Sequence, residues 1–375
     1  MALGCLATNT LTSNCRHRRV LWVLYVRSIS IRNHSSEKEA HSAKPHTSLD
    51  LELKLKGTQI LPSGIFAIFR LKSLLFNITD SFDMSSNPCA ACSWTTERQK
   101  HCNYESYLKL FYEAGDRGVW SVGSKLILKD RGASLPTFEV PNIQFVEEQT
   151  SIPVPTVVES WEEGEHTLIL MRRIPGEPLS KVWSNLSPLE KESIAKQTAE
   201  YLQQLRNLQS DRIQSLGGRP VFSNFLFKDK DSELPHGPLA SDNDLWADME
   251  RGLKEKLPEA ARVRLRHCMP CATPYTFTHG DLTNVNIMVE NGSLTGIIDW
   301  EMSGYFPVWW EYVCTSVPDS EEDREWKTLL RKYMPDHSVA REFWLDYYYL
   351  CRDLGCERAM KFVEETRNET YERGV

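Results

Sequence analysis

Residues 277–301 read FTHGDLTNVNIMVENGSLTGIIDWE, and the Asn291-Gly292 pair near their centre constrains the chain more than any other feature. A two-residue type I′ turn needs positive φ at both central positions, which Asn and Gly tolerate best, so Asn-Gly between apolar runs predicts a β-hairpin. With that turn, Glu290 opposes Ser293, Met288 opposes Thr295 and Asn286 opposes Ile297. Side chains alternate faces along a strand, so Asn286 and Asp299 are expected on one face at the open end. The chain arrives there from His279-Gly280-Asp281.

An amide oxygen and carboxylates around one point make a hard, oxygen-rich site suited to Mg²⁺. Asp281, five residues before Asn286, is placed to take a proton from a hydroxyl. Asp-x4-Asn, followed thirteen residues later by Asp299, matches the spacing of the kinase catalytic loop and its metal aspartate. Glu301 is open to two readings, a third metal-shell acid or a strand-end charge.

Elsewhere the order of elements bounds the fold class. GVWSVGSKLILKD (118–130) reads as a hairpin and HTLILMRRIPG (166–176) as a buried strand entering a Pro-Gly turn. Between them, Pro141 is expected to open a short helix that Ile152-Pro-Val-Pro155 ends. Residues 187–208 are the clearest helix, with Ser187 as N-cap, Pro188 at N1, Glu190 closing a capping box and an apolar stripe from Ile194 to Leu208. Further helices are expected over 243–266 and 339–366, the latter with Phe343, Tyr347 and Leu350 on one stripe. The pattern is α+β: a terminal extension over 1–95, a strand-rich block over 96–175 and a mainly helical block over 176–375.

Charge and cysteines narrow the function classes. The first 100 residues carry 13 Lys/Arg against 7 Asp/Glu, so the remainder holds more than the whole net charge of −7. An acidic body is a poor surface for nucleic acid or anionic membranes. The 10 cysteines are scattered through a chain large enough not to need disulfides, which points to a reducing compartment. Cys89/Cys92 and Cys268/Cys271 form two C-x-x-C pairs, but they are too far apart in sequence for a compact zinc ribbon.

Residues 1–36 contain five arginines and no acid before Glu37, the look of a transit peptide. The cytoplasm is the expected location, with the mitochondrion as the alternative if that segment is a transit peptide. The apolar runs at 20–26 and 60–76 fall short of the ~20 residues a membrane span needs, so no membrane insertion is expected. Up to about residue 95 no sustained periodicity emerges, which predicts a disordered extension or a segment outside the natural folded product.

THGDLTNVNIMV and GIIDWE resemble the aminoglycoside phosphotransferase and choline kinase group of protein-kinase-like small-molecule phosphotransferases. SIPVPTVVESW, LILMRRIPGEPL and GYFPVWWEYV resemble fungal members of that group with unassigned substrate. The resemblance spans residues 110–315. It differs from protein kinases in having His-Gly-Asp for His-Arg-Asp, Asp-Trp-Glu for Asp-Phe-Gly, and no Ala-Pro-Glu segment. It implies a two-lobed kinase-like fold and transfer of the γ-phosphate of ATP, with Mg²⁺, to a small-molecule hydroxyl.

Carried over by position, the resemblance makes Asp281 the catalytic base, Asn286 and Asp299 the Mg²⁺ ligands and His279 a support of the loop. Lys129 becomes the phosphate-gripping lysine, with Glu139 or Glu147 as its charge partner. Ser121 and Gly123 become phosphate-loop residues, and the segment from Met171 through Arg173 to Ile174 the adenine-pairing hinge. Trp300, Trp309, Trp310 and Trp326, beside Glu301, Glu311 and the acids of 319–325, suit either a cage for a cationic substrate or core packing with a solvated acidic face. A kinase-shaped nucleotide-binding module without turnover is the competing class.

Overall fold

The computed structural model describes residues 108–114, 117–122, 124–132, 138–228 and 234–372. The expectations for residues 1–95, the Cys89/Cys92 pair and Gly123 fall outside them. In chain order the elements are β1 (Leu108–Ala114), β2 (Arg117–Val122), β3 (Leu126–Asp130), α1 (Glu139–Gln149), β4 (Val157–Glu163), β5 (His166–Arg172), β6 (Glu177–Pro178), α2 (Leu179–Val182), α3 (Pro188–Asn207) and β7 (Gln209–Ser210). Then come α4 (Asp242–Glu250), α5 (Glu259–Cys268), β8 (Tyr275–Thr278), β9 (Ile287–Glu290), β10 (Ser293–Ile297), β11 (Gly304–Pro307), α6 (Trp310–Cys314), α7 (Glu321–Arg331), α8 (Ser338–Arg352) and α9 (Glu357–Glu372). The α+β expectation holds, with a strand-rich first part and a mainly helical second part.

Two compact units form. The first is a five-stranded sheet in the order β1-β2-β3-β5-β4. Alternation along its strands gathers Trp120, Val122, Leu126, Leu128, Leu168 and Leu170 into one core. The second unit takes residues 138–157 together with 174–372, so α1, read from sequence as part of the strand-rich block, packs with the helical part. The reason is its buried face, Ile143 and Val146, which joins the cluster of Ile194, Leu202, Ile287 and Trp300.

α3 carries the expected cap: Ser187 Oγ accepts from Glu190 N–H, and Glu190 accepts in return from Ser187 N–H at 2.7 Å. The expected helix over 243–266 is instead two, α4 and α5, separated by a stretch containing Gly252 and Pro258. The expected helix over 339–366 likewise divides into α8 and α9 at Asp353-Leu354-Gly355-Cys356. α1 begins at Glu139, two residues before Pro141, because the first turn of a helix needs no N–H partner and tolerates proline. Among the described residues, no helix is long and apolar enough to cross a membrane.

Candidate active site

The Asn291-Gly292 turn forms as its residues dictate, with φ of 51° and 73°. Ser293 opposes Glu290 and Leu294 opposes Val289, but the register then slips, so that Gly296 opposes Met288 and Ile297 opposes Ile287. The predicted pairings of Met288 with Thr295 and Asn286 with Ile297 are therefore corrected by one residue: a β-bulge at Thr295 intervenes. The slip has a tertiary cause. Ile297 N–H donates to Pro153 O at 2.9 Å, and Gly296 lies so close to Ile174 that an added Cβ would collide with it. Asn286 O instead accepts from Ile298 N–H at 3.0 Å.

Strand alternation thus does not aim Asp299. A left-handed backbone does, with φ 66° and ψ 62°, a conformation more accessible to Asp than to most side chains. It brings Asp299 to Glu139 and Glu301, one carboxylate oxygen from each lying within 4.8 Å of the others. Three carboxylates this close repel one another when ionised, and an all-oxygen donor set is the kind Mg²⁺ prefers. Glu139 is buried whereas Glu147 is exposed.

Asp281 faces this group from the preceding loop. Asn286 Nδ2 donates to Asp281 O at 2.9 Å and to Oδ2 at 3.2 Å. Burial and the neighbouring Asp299 carboxylate push the Asp281 carboxyl up to about 6, against the opposing pull of Lys327 and Asn286. Asp281 is therefore a stronger base than an ordinary aspartate.

The loop is held from several sides. His279 is fully buried. Its Nδ1 accepts from Asp281 N–H at 3.2 Å and its Nε2 faces Ile298 O at 3.0 Å. A carbonyl can only accept, so the proton sits on Nε2 and the ring is the neutral tautomer that joins the Asp281 loop to the Asp299 segment. Gly280 has φ of 84°, and an added Cβ would lie 3.1 Å from Met302 O. Glycine thus occupies the middle of His-Gly-Asp for steric reasons.

Four contributors escape sequence reasoning in the roles they play. Glu311 of α6 accepts from His279 N–H at 2.6 Å and Gly280 N–H at 3.2 Å, and burial pushes its carboxyl up to about 7. Asp323, at the start of α7, accepts from Asn284 N–H at 2.8 Å and pairs with buried Lys327 at 2.8 Å. Trp326 Nε1 donates to Leu282 O at 3.0 Å. Asn142 of α1 donates to Trp300 O at 2.9 Å and Ser303 O at 3.2 Å, fixing the turn that carries Asp299 and Glu301. The available signals were an acid inside the aromatic run WWEYV and the Ser320-x-x-Asp323 capping spacing, where Ser320 Oγ accepts from Asp323 N–H.

The cationic cage does not form from the tryptophans. Trp300, Trp309, Trp310 and Trp326 are at most 1% exposed and pack in the cores, and the acidic run contributes the fully buried Asp323. In the sheet unit, Ser121 is buried in β2 and Lys129 lies half-buried in β3, opposite Val119 and Ile169. Met171 pairs with Ile127 in the β3–β5 ladder, and Arg173 N–H is already given to Lys125 O at 2.8 Å.

The family model described as the phosphotransferase enzyme family, APH, matches residues 119–343. No curated protein matches the chain. The solved streptomycin–ATP–APH(2'')-IIa ternary complex is similar with TM-score 0.44 and 17% identity, over 70% of this chain and 90% of that one. ADP-bound aminoglycoside phosphotransferase APH(2'')-Ib gives 0.41 and 16%, over 72% and 94%. The apo form of a thermostable mutant of APH(4)-Ia gives 0.42 and 15%, over 72% and 95%.

Proposed function

Because the chain belongs to the phosphotransferase enzyme family, we propose that it transfers the γ-phosphate of ATP to a hydroxyl of a small molecule, with Mg²⁺ as cofactor. The observation that carries this reading is Asp281, a basic carboxylate oriented by Asn286 and set beside the Asp299 acids. An acceptor hydroxyl hydrogen-bonded to Asp281 loses its proton to that carboxylate as its oxygen meets the phosphorus, and ADP leaves on the opposite side. The neutral His279 ring and Glu311 keep the loop in place through main-chain hydrogen bonds, so Asp281 spends little free energy on reorganisation. Mg²⁺, held by Asp299 with Asn286 and the neighbouring Glu139 and Glu301, would neutralise phosphate charge when bound. Lys129 and Ser121 are proposed as nucleotide-phosphate ligands and the Met171 segment as the adenine contact. The cytoplasm is proposed as the protein's location, with the mitochondrion as the alternative if residues 1–36 are a transit peptide.

Titration with Mg-ATP should raise the Tm through binding linkage and, with a metabolite extract, give one ADP per phosphorylated small molecule. A Tm rise with no ADP formed would favour the nucleotide-binding module without turnover.

A further inference from the structure

A cavity of about 410 Å³ lies in the helical unit behind the Asp281 loop, between α3, β8 and the segment that follows α7. None of Asp281, Asn286, Asp299 or Glu301 lines it, so it is separate from the phosphotransfer site. Its inner wall includes Thr278 and Glu311, which are next to or bonded to His279. Leu202, Phe277 and Met334 give it apolar surface, and Arg206 and Lys332 give it positive charge.

The charges are unevenly satisfied. Lys196, a third cation on the wall, is paired with Glu192 at 2.9 Å. Arg206 uses Nη1 alone, donating to Val308 O at 3.0 Å and to His337 Nε2 at 3.2 Å. Among the described residues Arg206 forms no ion pair, and Lys332 has only the more distant Glu192, already bonded to Lys196, as an acidic neighbour. Burial pulls the Arg206 guanidinium below its ordinary value, and the adjacent His337 is pushed down by burial and by Arg206. A half-buried guanidinium without a carboxylate carries a desolvation cost that an anion beside it would offset. Of the acids on the wall, Glu200 is exposed and Glu311 is engaged by two main-chain N–H groups. The volume falls in the range of small-ligand sites, which are mostly apolar with a few placed polar groups.

We propose that this cavity binds a small organic anion with an apolar body, its charge on Arg206 and Lys332 and its body against Leu202, Phe277 and Met334. Through Thr278 and Glu311 the occupied cavity stiffens the His279-Gly280 backbone. The occupant is a regulatory ligand and not the phosphate acceptor, because no reacting group lines the cavity.

Octanoate and its neutral isostere octanamide test this on the full chain. Octanoate should raise the Tm saturably and slow hydrogen exchange in the 275–282 peptide, whereas octanamide should do neither. Arg206→Gln should weaken the octanoate effect at least tenfold, and Lys332→Gln, at an exposed position, should weaken it several-fold without altering the unliganded Tm. Equal responses to octanoate and octanamide in the unmodified protein, or no saturable response to octanoate, would overturn the proposal whether or not Arg206→Gln folds.

Discussion

Glu311 accepts the main-chain N–H groups of two consecutive residues, His279 at 2.6 Å and Gly280 at 3.2 Å, and does so from a buried position on α6. Its carboxyl is pushed from the ordinary 4.5 up to about 7, first by burial. A native carboxyl with a raised pKa contributes stability that is complete below 4.5 and lost as pH rises through about 7. The Glu311→Gln variant lacks this titration but gives up one acceptor oxygen. In urea unfolding at pH 5 and pH 8, the stability gap should move in the variant's favour by on the order of 3 kcal/mol. Parallel pH dependences would show that Glu311 does not titrate in this range.

Gly280→Ala tests the steric reading of His-Gly-Asp. At φ of 84°, with Met302 O 3.1 Å from the added Cβ, alanine should cost about 1–3 kcal/mol in stability. Transfer activity should fall further than stability, since Asp281 follows directly. A variant with wild-type Tm and activity would remove the constraint.

Asp323 and Lys327 form a pair at 2.8 Å that is almost wholly withdrawn from solvent. Asp323→Ala leaves the buried Lys327 ammonium with Val317 O but no paired carboxylate, and the Asn284 and Asp319 N–H groups without their acceptor, so denaturation should show a loss of about 3–5 kcal/mol. Adding Lys327→Met should recover part of that loss, because the stranded charge goes with it. No recovery would mean that the main-chain bonds from Asn284 and Asp319, not the ion pair, carry the effect.

Metal binding can be read without turnover. If Asp299 is the principal ligand, Asp299→Asn should weaken Mn²⁺ binding in the presence of ATP by tenfold or more, measured by electron paramagnetic resonance. Glu301→Gln should weaken it less. Unchanged binding in both would separate the carboxylate cluster from the cation.

Local chemistry made the Asn291-Gly292 turn and the Ser187–Glu190 capping box legible, since each is decided by a few adjacent residues. The bulge at Thr295 was not legible, because Pro153 and Ile174, far away in sequence, set it. The same holds for Glu139, whose place beside Asp299 and Glu301 depends on where α1 packs. Asp299 was singled out from its spacing to Asp281 and Asn286, yet the alternation used to aim it was wrong and a left-handed backbone aims it instead. The tryptophans illustrate a further limit: composition admits a cage, and only burial shows that they are core.

Phosphoryl transfer at Asp281 is followed by the fate of the γ-phosphate label. With γ-labelled ATP, Mg²⁺ and a metabolite extract, the wild-type protein should move label into a small-molecule phosphate ester. Asp281→Asn should lower that single-turnover rate by about 10²–10⁴-fold while leaving the Mg-ATP Tm shift in place. Equal transfer by both proteins, or label that appears only as inorganic phosphate, would contradict it.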